Sequence, residues 1–331
     1  MRFHDYRQAY REPLRDAIRK VIDDADMADS TLASMLAYQM ETGGKRLRAV
    51  LPLMVADALQ TPPDKLVAFG AACELIHNAT LIHDDLQDGD RLRRGQPAVW
   101  SKFGDEQAIN LGDAILMLAP LCLESVDVDD QLRWDVASRM CRRVLQVIDG
   151  QQREFELDFG SATFDDYRRM VTGKTSGLFA LPIVEAARLC GAGPELCRGL
   201  DAVARPLGVL FQIQDDILDL YGDKGRDARG GDIREGKISA LVVAYLSRAD
   251  DHDITRLRHI LSAPRDDTTD DDVQWATLQF HRSGALEITI DRLETLRARA
   301  LSADPLEHHR RLRTLIEELC DVLLEPIDDL R

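Results

Sequence analysis

Apolar residues along this chain recur every three or four positions, while period-two runs of Val, Ile, Thr and Tyr are scarce. That pattern confines the chain to helices and leaves little for strands. Leu, Ala, Arg, Asp and Glu dominate and aromatics make up 5%, which agrees. Residues 1–40 read as helix, with Leu14, Ile18 and Val21 at helical spacing. After Gly43-Gly44 a second helix spans Lys45 to Leu59. Asp64 is placed to cap a third, Lys65 to Asp88, apolar enough to be buried. Further helices are expected at 105–125, 130–158, 165–188, 195–221, 237–262, 273–302 and 305–328, with 264–272 as a solvated loop. With no short repeat and no long linker, the expectation is one all-α domain over 1–331, a bundle of ten or more helices.

The net charge is −16 and 45% of residues are hydrophobic. Such an acidic surface repels nucleic acid, so no nucleic-acid partner is expected. The cysteines at 73, 122, 141, 190, 197 and 320 form no CxxC pair and no zinc spacing; they read as free thiols of a reducing compartment. The N-terminus is polar, and the most apolar run, Ala114 to Leu123, is too short to span a bilayer. A soluble, cytoplasmic protein without stable membrane insertion is expected.

Two acidic clusters stand where charge should be absent. DDLQD (84–88) follows the apolar ELIHNATLIH, and DDILD (215–219) follows RPLGVLFQIQ. On a helix, positions i and i+4 lie about 40° apart. Asp84 therefore stacks on Asp88 and Asp215 on Asp219, flanked by Asp85 and Asp216. Carboxylates gathered so closely repel one another unless a cation joins them. Mg²⁺ takes oxygen ligands and bridges carboxylates to substrate phosphate. A third copy, DDTTD at 266–270, lies in a polar loop and reads as a solvated charge run.

Small basic clusters recur near these motifs. GGKRLR (43–48) supplies Lys45 and Arg48 at a helix start, where amides also favour anions. RLRRG (91–95) places Arg93 and Arg94 just after the first motif. GKT (173–175) offers Lys174 and Thr175, and GRDARGGDIREGK (225–237) offers Arg226 and Lys237. His77 shares a helix face with Asp84, and nearby anions would favour its protonated form. His83 points elsewhere and reads as structural.

In the order GGKRLR, ELIHNATLIHDDLQD, RRGQPAVW, GKTSGLF, FQIQDDILDLYGD and GGDIREGK, over about 200 residues from 43 to 241, the chain resembles the trans-polyprenyl (isoprenyl) diphosphate synthases. The resemblance implies an all-α fold around a deep central cavity and a homodimer. It implies that the two motifs face each other and bind three Mg²⁺, with Asp84, Asp88 and Asp215 as direct ligands and Asp85, Asp216 and Asp219 in support. Arg93, Lys174, Thr175, Gln212 and Lys237 would hold an allylic diphosphate. Lys45, Arg48, His77 and Arg94 would hold isopentenyl diphosphate, with Phe211 facing the isopentenyl group. Two departures stand out. Ala49 replaces a common Pro, and Arg226-Asp227 replaces a Gly-Lys pair, leaving Lys224 or Arg226 as substitutes for the missing lysine.

In this family, bulky residues four and five positions before the first motif floor the cavity. Here those are the small Thr80 and Ala79, which predicts a geranylgeranyl-length (C20) or longer product; Ile76, Cys73, Met117 and Leu118 are deeper candidates for the floor. A class I terpene cyclase would need no isopentenyl site and a different second motif. A non-catalytic subunit would be expected to lack one of the two.

Overall fold

The computed structural model describes residues 1–222 and 229–330. Lys224, Arg226 and Asp227 lie outside the described residues. The fold is all-α; its one sheet among the described residues is a two-stranded ribbon, Leu92–Arg93 against Gln96–Pro97.

The first 40 residues are not one helix but three: α1 (Phe3–Ala9), α2 (Arg11–Asp24) and α3 (Thr31–Glu41). Asp26 takes a left-handed conformation (φ 54°) and stops α2. Ser30 Oγ then accepts the Ala33 N–H at 3.1 Å and starts α3. α4 (Leu47–Ala58) follows the glycine pair. α5 (Val67–Asp88) follows a 3₁₀ turn, Pro63–Leu66, that contains Asp64, and no side chain caps it. Gly89 (φ 70°) ends α5, as a left-handed glycine commonly ends a helix.

Beyond the ribbon come α6 (Val99–Phe103), α7 (Asp105–Leu121) and α8 (Asp130–Glu156). Residues 164–189 form one run of helix, α9 (Phe164–Val171), α10 (Gly177–Ala180) and α11 (Ala186–Leu189), interrupted by π turns at Thr172–Ser176 and Leu181–Glu185. α12 (Pro194–Tyr221) is the longest helix among the described residues. The expected helix 237–262 is divided: α13 (Gly231–Arg234) precedes it, and Ser239 and Asp250 cap α14 (Ala240–Leu246) and α15 (Asp251–Leu261). Gly284 (φ 78°) likewise separates α16 (Asp270–Arg282) from α17 (Ala285–Leu301). α18 (Asp304–His308) and α19 (Arg310–Leu324) follow, and a 3₁₀ turn spans Glu325–Leu330.

α5 packs between α4 and α7, and α12 packs on α17. The approaches are close: a Cβ on Gly70 of α5 would lie 2.4 Å from the Ala49 carbonyl oxygen of α4. The spans 63–88 and 105–125 are each apolar and long enough to cross a membrane, so the run Ala114–Leu123 understated the second. Of the most apolar 18-residue stretch in each, the core encloses 67% in the first and 44% in the second. The outer faces of α7 and α8 carry the exposed Ile109, Met117, Leu121, Trp134 and Leu145.

Candidate active site

The C-terminal halves of α5 and α12 meet at a cavity of about 960 Å³, lined also by α8, the π turn 172–176 and the segments 43–48 and 93–94. Asp84 and Asp88 line it from α5, and Asp215 and Asp216 from α12. The helical stacking expected from the spacing is present at Asp84 and Asp88. Burial raises the Asp84 carboxyl above its usual range, and nearby Lys174 opposes the shift.

The flanking aspartates are held by protein. Asp85 is almost fully buried and takes a bidentate contact from the Arg93 guanidinium, with Nε at 2.7 Å from Oδ1 and 2.9 Å from Oδ2. Asp216 accepts from Tyr167 Oη at 2.8 Å, Gln212 Nε2 at 3.0 Å and the Ala240 N–H at 2.7 Å. Burial, with Asp232 adding to it, pushes the Asp216 carboxyl up to about 7. Asp219 is buried and accepts the Asp232 N–H at 3.1 Å. Neither Asp85 nor Asp219 is among the cavity-lining residues.

Cations close the ring. Lys174 lies 2.5 Å from Glu154, and Lys237 lies 2.6 Å from both Asp88 and Glu235. Burial disfavours the Lys237 charge, yet Asp88 and Glu235 outweigh it and hold the ammonium well above its ordinary range. Thr175 Oγ1 donates to Gln212 Oε1 at 2.9 Å. Lys174 is positioned by two glycines: a Cβ on Gly150 of α8 would sit 2.0 Å from the Lys174 nitrogen, and one on Gly173 would sit 2.9 Å from Gly150 Cα.

Across the cavity, Arg48 is buried, 5.1 Å from the Phe179 ring centre and 5.4 Å from that of Phe211. Arg48 Nη1 donates to His77 Nε2 at 3.2 Å. Burial is the main reason the His77 pKa falls well below its usual value, and Arg48, Arg94, Arg93 and Arg46 deepen the effect. The expected favouring of the protonated histidine finds the opposite surroundings: its close neighbours are cations, which disfavour a charged ring. Arg94 (φ 53°) donates to the Gly43 carbonyl, and Lys45 Nζ donates to the Val322 carbonyl at 3.2 Å. Arg48 Nε and His77 Nδ1 are buried without a partner, leaving hydrogen-bonding capacity beside the cavity.

Several contributors carried no sequence signal. Tyr167, Glu154 and Glu74, which binds Arg46 at 2.8 Å, join the site only through tertiary approach. Arg265 belongs to the segment expected to be a solvated loop. It is half-buried and donates to the Asp88 carbonyl, to Glu235 at 3.0 Å and to Asp90 at 2.8 Å. The neighbouring Asp266, Asp267 and Asp270 are exposed, as expected of the third acidic copy.

Below the aspartates, Thr80, Leu81, Leu116, Val144, Ile148 and Leu178 line the cavity. Thr80 lines it as expected, its hydroxyl donating to the His77 carbonyl at 2.8 Å. Ala79, Ile76, Cys73 and Leu118 are buried in the core and are not lining residues, and Met117 is exposed on the outer face of α7. His83, expected to be structural, also lines the cavity, 3.6 Å from Asp113.

A helical cavity with two aspartate-bearing helices and cations on both rims defines a class of enzymes acting on diphosphates. The comparisons name the family: the polyprenyl synthetase model matches residues 29–279, and the chain belongs to that family of prenyltransferases. It is 32% identical over 272 residues to the short chain isoprenyl diphosphate synthase of Methanothermobacter thermautotrophicus, covering 80% of this chain and 81% of that one. To the geranylgeranyl diphosphate synthase of Saccharolobus solfataricus it is 32% identical over 224 residues, 66% and 68% of the two chains. A crystal structure of a geranylgeranyl pyrophosphate synthase superposes with a TM-score of 0.85 at 27% identity, covering 99% and 98%.

Proposed function

We propose that this prenyltransferase joins isopentenyl diphosphate to an allylic diphosphate, head to tail, and forms a linear trans-prenyl diphosphate of twenty carbons or more. The observation that carries the reading is the convergence of Asp84, Asp88 and Asp215 on one cavity with Lys174 and Lys237 on one rim and Arg48 and His77 on the other.

The donor set is all oxygen, which fits a hard divalent cation such as Mg²⁺. Asp84, Asp88 and Asp215 would hold the metal, and the expected number is three ions. When bound, the metal neutralises charge on the leaving diphosphate. Asp216 and Asp219, pinned by Tyr167, Gln212 and backbone N–H groups, fix the pitch of α12 behind Asp215. Asp85 acts through Arg93, which it aims.

Lys174, Lys237, Arg93, Thr175 and Gln212 bind the allylic diphosphate and stabilise the charge that develops as its C–O bond ionises. Lys174 must exchange Glu154 for phosphate oxygen to do so. Lys45, Arg48, His77 and Arg94 hold isopentenyl diphosphate, whose double bond attacks the allylic cation near Phe211 to form the new C–C bond, and the resulting cation loses a proton to the released diphosphate. The apolar wall of Leu81, Leu116 and Leu178 keeps water from quenching that cation. Product length rests on Thr80, which leaves the passage below the metals open.

The exposed apolar residues on α7 and α8 support a homodimer through that face.

The test is product analysis of the purified chain with Mg²⁺, labelled isopentenyl diphosphate and, in parallel, dimethylallyl, geranyl and farnesyl diphosphates. A ladder ending at C20 or beyond is expected, and a chelator should abolish it. A stop at C15 would discard the length assignment alone. Turnover of an allylic diphosphate without isopentenyl diphosphate would point to a cyclase, and no product from any starter would point to a non-catalytic subunit.

A further inference from the structure

A second cavity, of about 860 Å³, opens between α8, α12, α17 and the helical run 164–189. Its charge is opposite to that of the molecule. The chain carries −16 overall, yet seven arginines line this cavity against Glu185 and Asp201.

Four of the arginines form a frame. Arg139 Nε lies 3.0 Å from Asp135, and Arg188 Nε lies 3.0 Å from Glu185, which is buried. Arg143 and Arg205 both donate to Asp201, the latter at 2.7 Å. Three arginines lie outside the frame. Arg168 pairs with the exposed Asp165, while the exposed Arg198 and Arg299 have no ion pair among the described residues. The carboxylates thus orient part of the guanidinium array without neutralising the whole. Planar guanidinium forks match phosphate oxygens two at a time. The volume lies within the range of organic ligand pockets, and Val184, Val209 and Leu296 add apolar wall.

The position separates this cavity from the other surfaces described. On α8, Arg139 and Arg143 lie on the opposite side of the axis from Trp134 and Leu145 of the outer stripe. Covering that stripe leaves the cavity open. Along α12 the lining stops at Val209, before Phe211 and Asp215, which face the catalytic cavity.

We infer that this arginine-lined cavity is a second binding site for a diphosphate group, distinct from the catalytic one. The group has two available sources: inorganic diphosphate, or the headgroup of a prenyl diphosphate.

The test is equilibrium dialysis of the full chain in EDTA, with radiolabelled inorganic diphosphate and, separately, radiolabelled farnesyl diphosphate. The comparison is the R198E/R299E variant. Both residues are exposed and outside the frame, so thermal melting and basal prenyl transfer are expected to match the parent. The expected result is a metal-independent site, one per chain, whose affinity falls about tenfold or more in the variant. A site filled by inorganic diphosphate identifies the free anion as ligand, and one filled only by farnesyl diphosphate identifies the headgroup. Equal binding by parent and variant, or no binding of either probe, overturns the inference. Should the double variant fail to fold, Arg299→Gln alone gives the same comparison. Binding is read without turnover, so failure here is distinguishable from failure of the proposed reaction.

Discussion

At the scale of single residues, the site is ordered by pairs that the sequence separates. Arg93 and Asp85 are the clearest, with side-chain exposures of 14% and 1%. Removing one partner of a buried pair takes away the bidentate contact that balances the other charge. Arg93→Ala is therefore expected to destabilise the fold by about 3–5 kcal/mol, read from urea denaturation. A loss below about 1 kcal/mol would mean that water reaches Asp85 in the variant. Thr80 acts on space instead. Thr80→Phe should shorten the product, because the ring would project into the passage just below Asp84, and an unchanged product would move the floor deeper. Sequence spacing alone put Asp84 with Asp88 and Thr80 one turn below them. It could not show that His77 sits among arginines, because those neighbours come from other segments.

At the scale of elements, α5 and α12 were legible nearly end to end. Each is long and apolar, and Gly89 and Gly222 mark their ends. The breaks at Ser30, Ser239 and Asp250 were also written in the chain as capping residues, but continuous periodicity on either side hid them. The π turns had no such mark. A π turn is a local widening of an α-helix, and the apolar period of 164–189 runs through both. What places Lys174 is the contact of its π turn with α8 at Gly150, where backbone meets backbone. Gly150→Ala should force the two apart. A displacement of this kind near the chemistry lowers kcat/KM about 100-fold, measured against the allylic substrate. Retention of full activity would show that α8 can shift without moving Lys174.

At the scale of the whole molecule, the exposed apolar stripe of α8 includes Cys141, on the same face as Trp134 and Leu145. Burial disfavours the thiolate of the others, pushing Cys122 and Cys320 up to about 12 and raising Cys73, Cys197 and the half-buried Cys190. A homodimer through this face should shield Cys141 from thiol reagents at pH 8. Leu145→Asp should yield a monomer in which one thiol per chain reacts rapidly. Fast labelling of a monomeric parent protein would remove the dimer.

The separation of charge also governs encounter. A trianionic diphosphate approaching a −16 chain is repelled by the molecule as a whole and attracted only close to its cation-lined cavities. Repulsion between like charges is relaxed by added salt. Substrate capture by this enzyme therefore quickens as ionic strength rises from low values, the reverse of an enzyme that draws its anion in with a basic exterior. Partial neutralisation of the diphosphate by divalent cation in solution acts in the same direction.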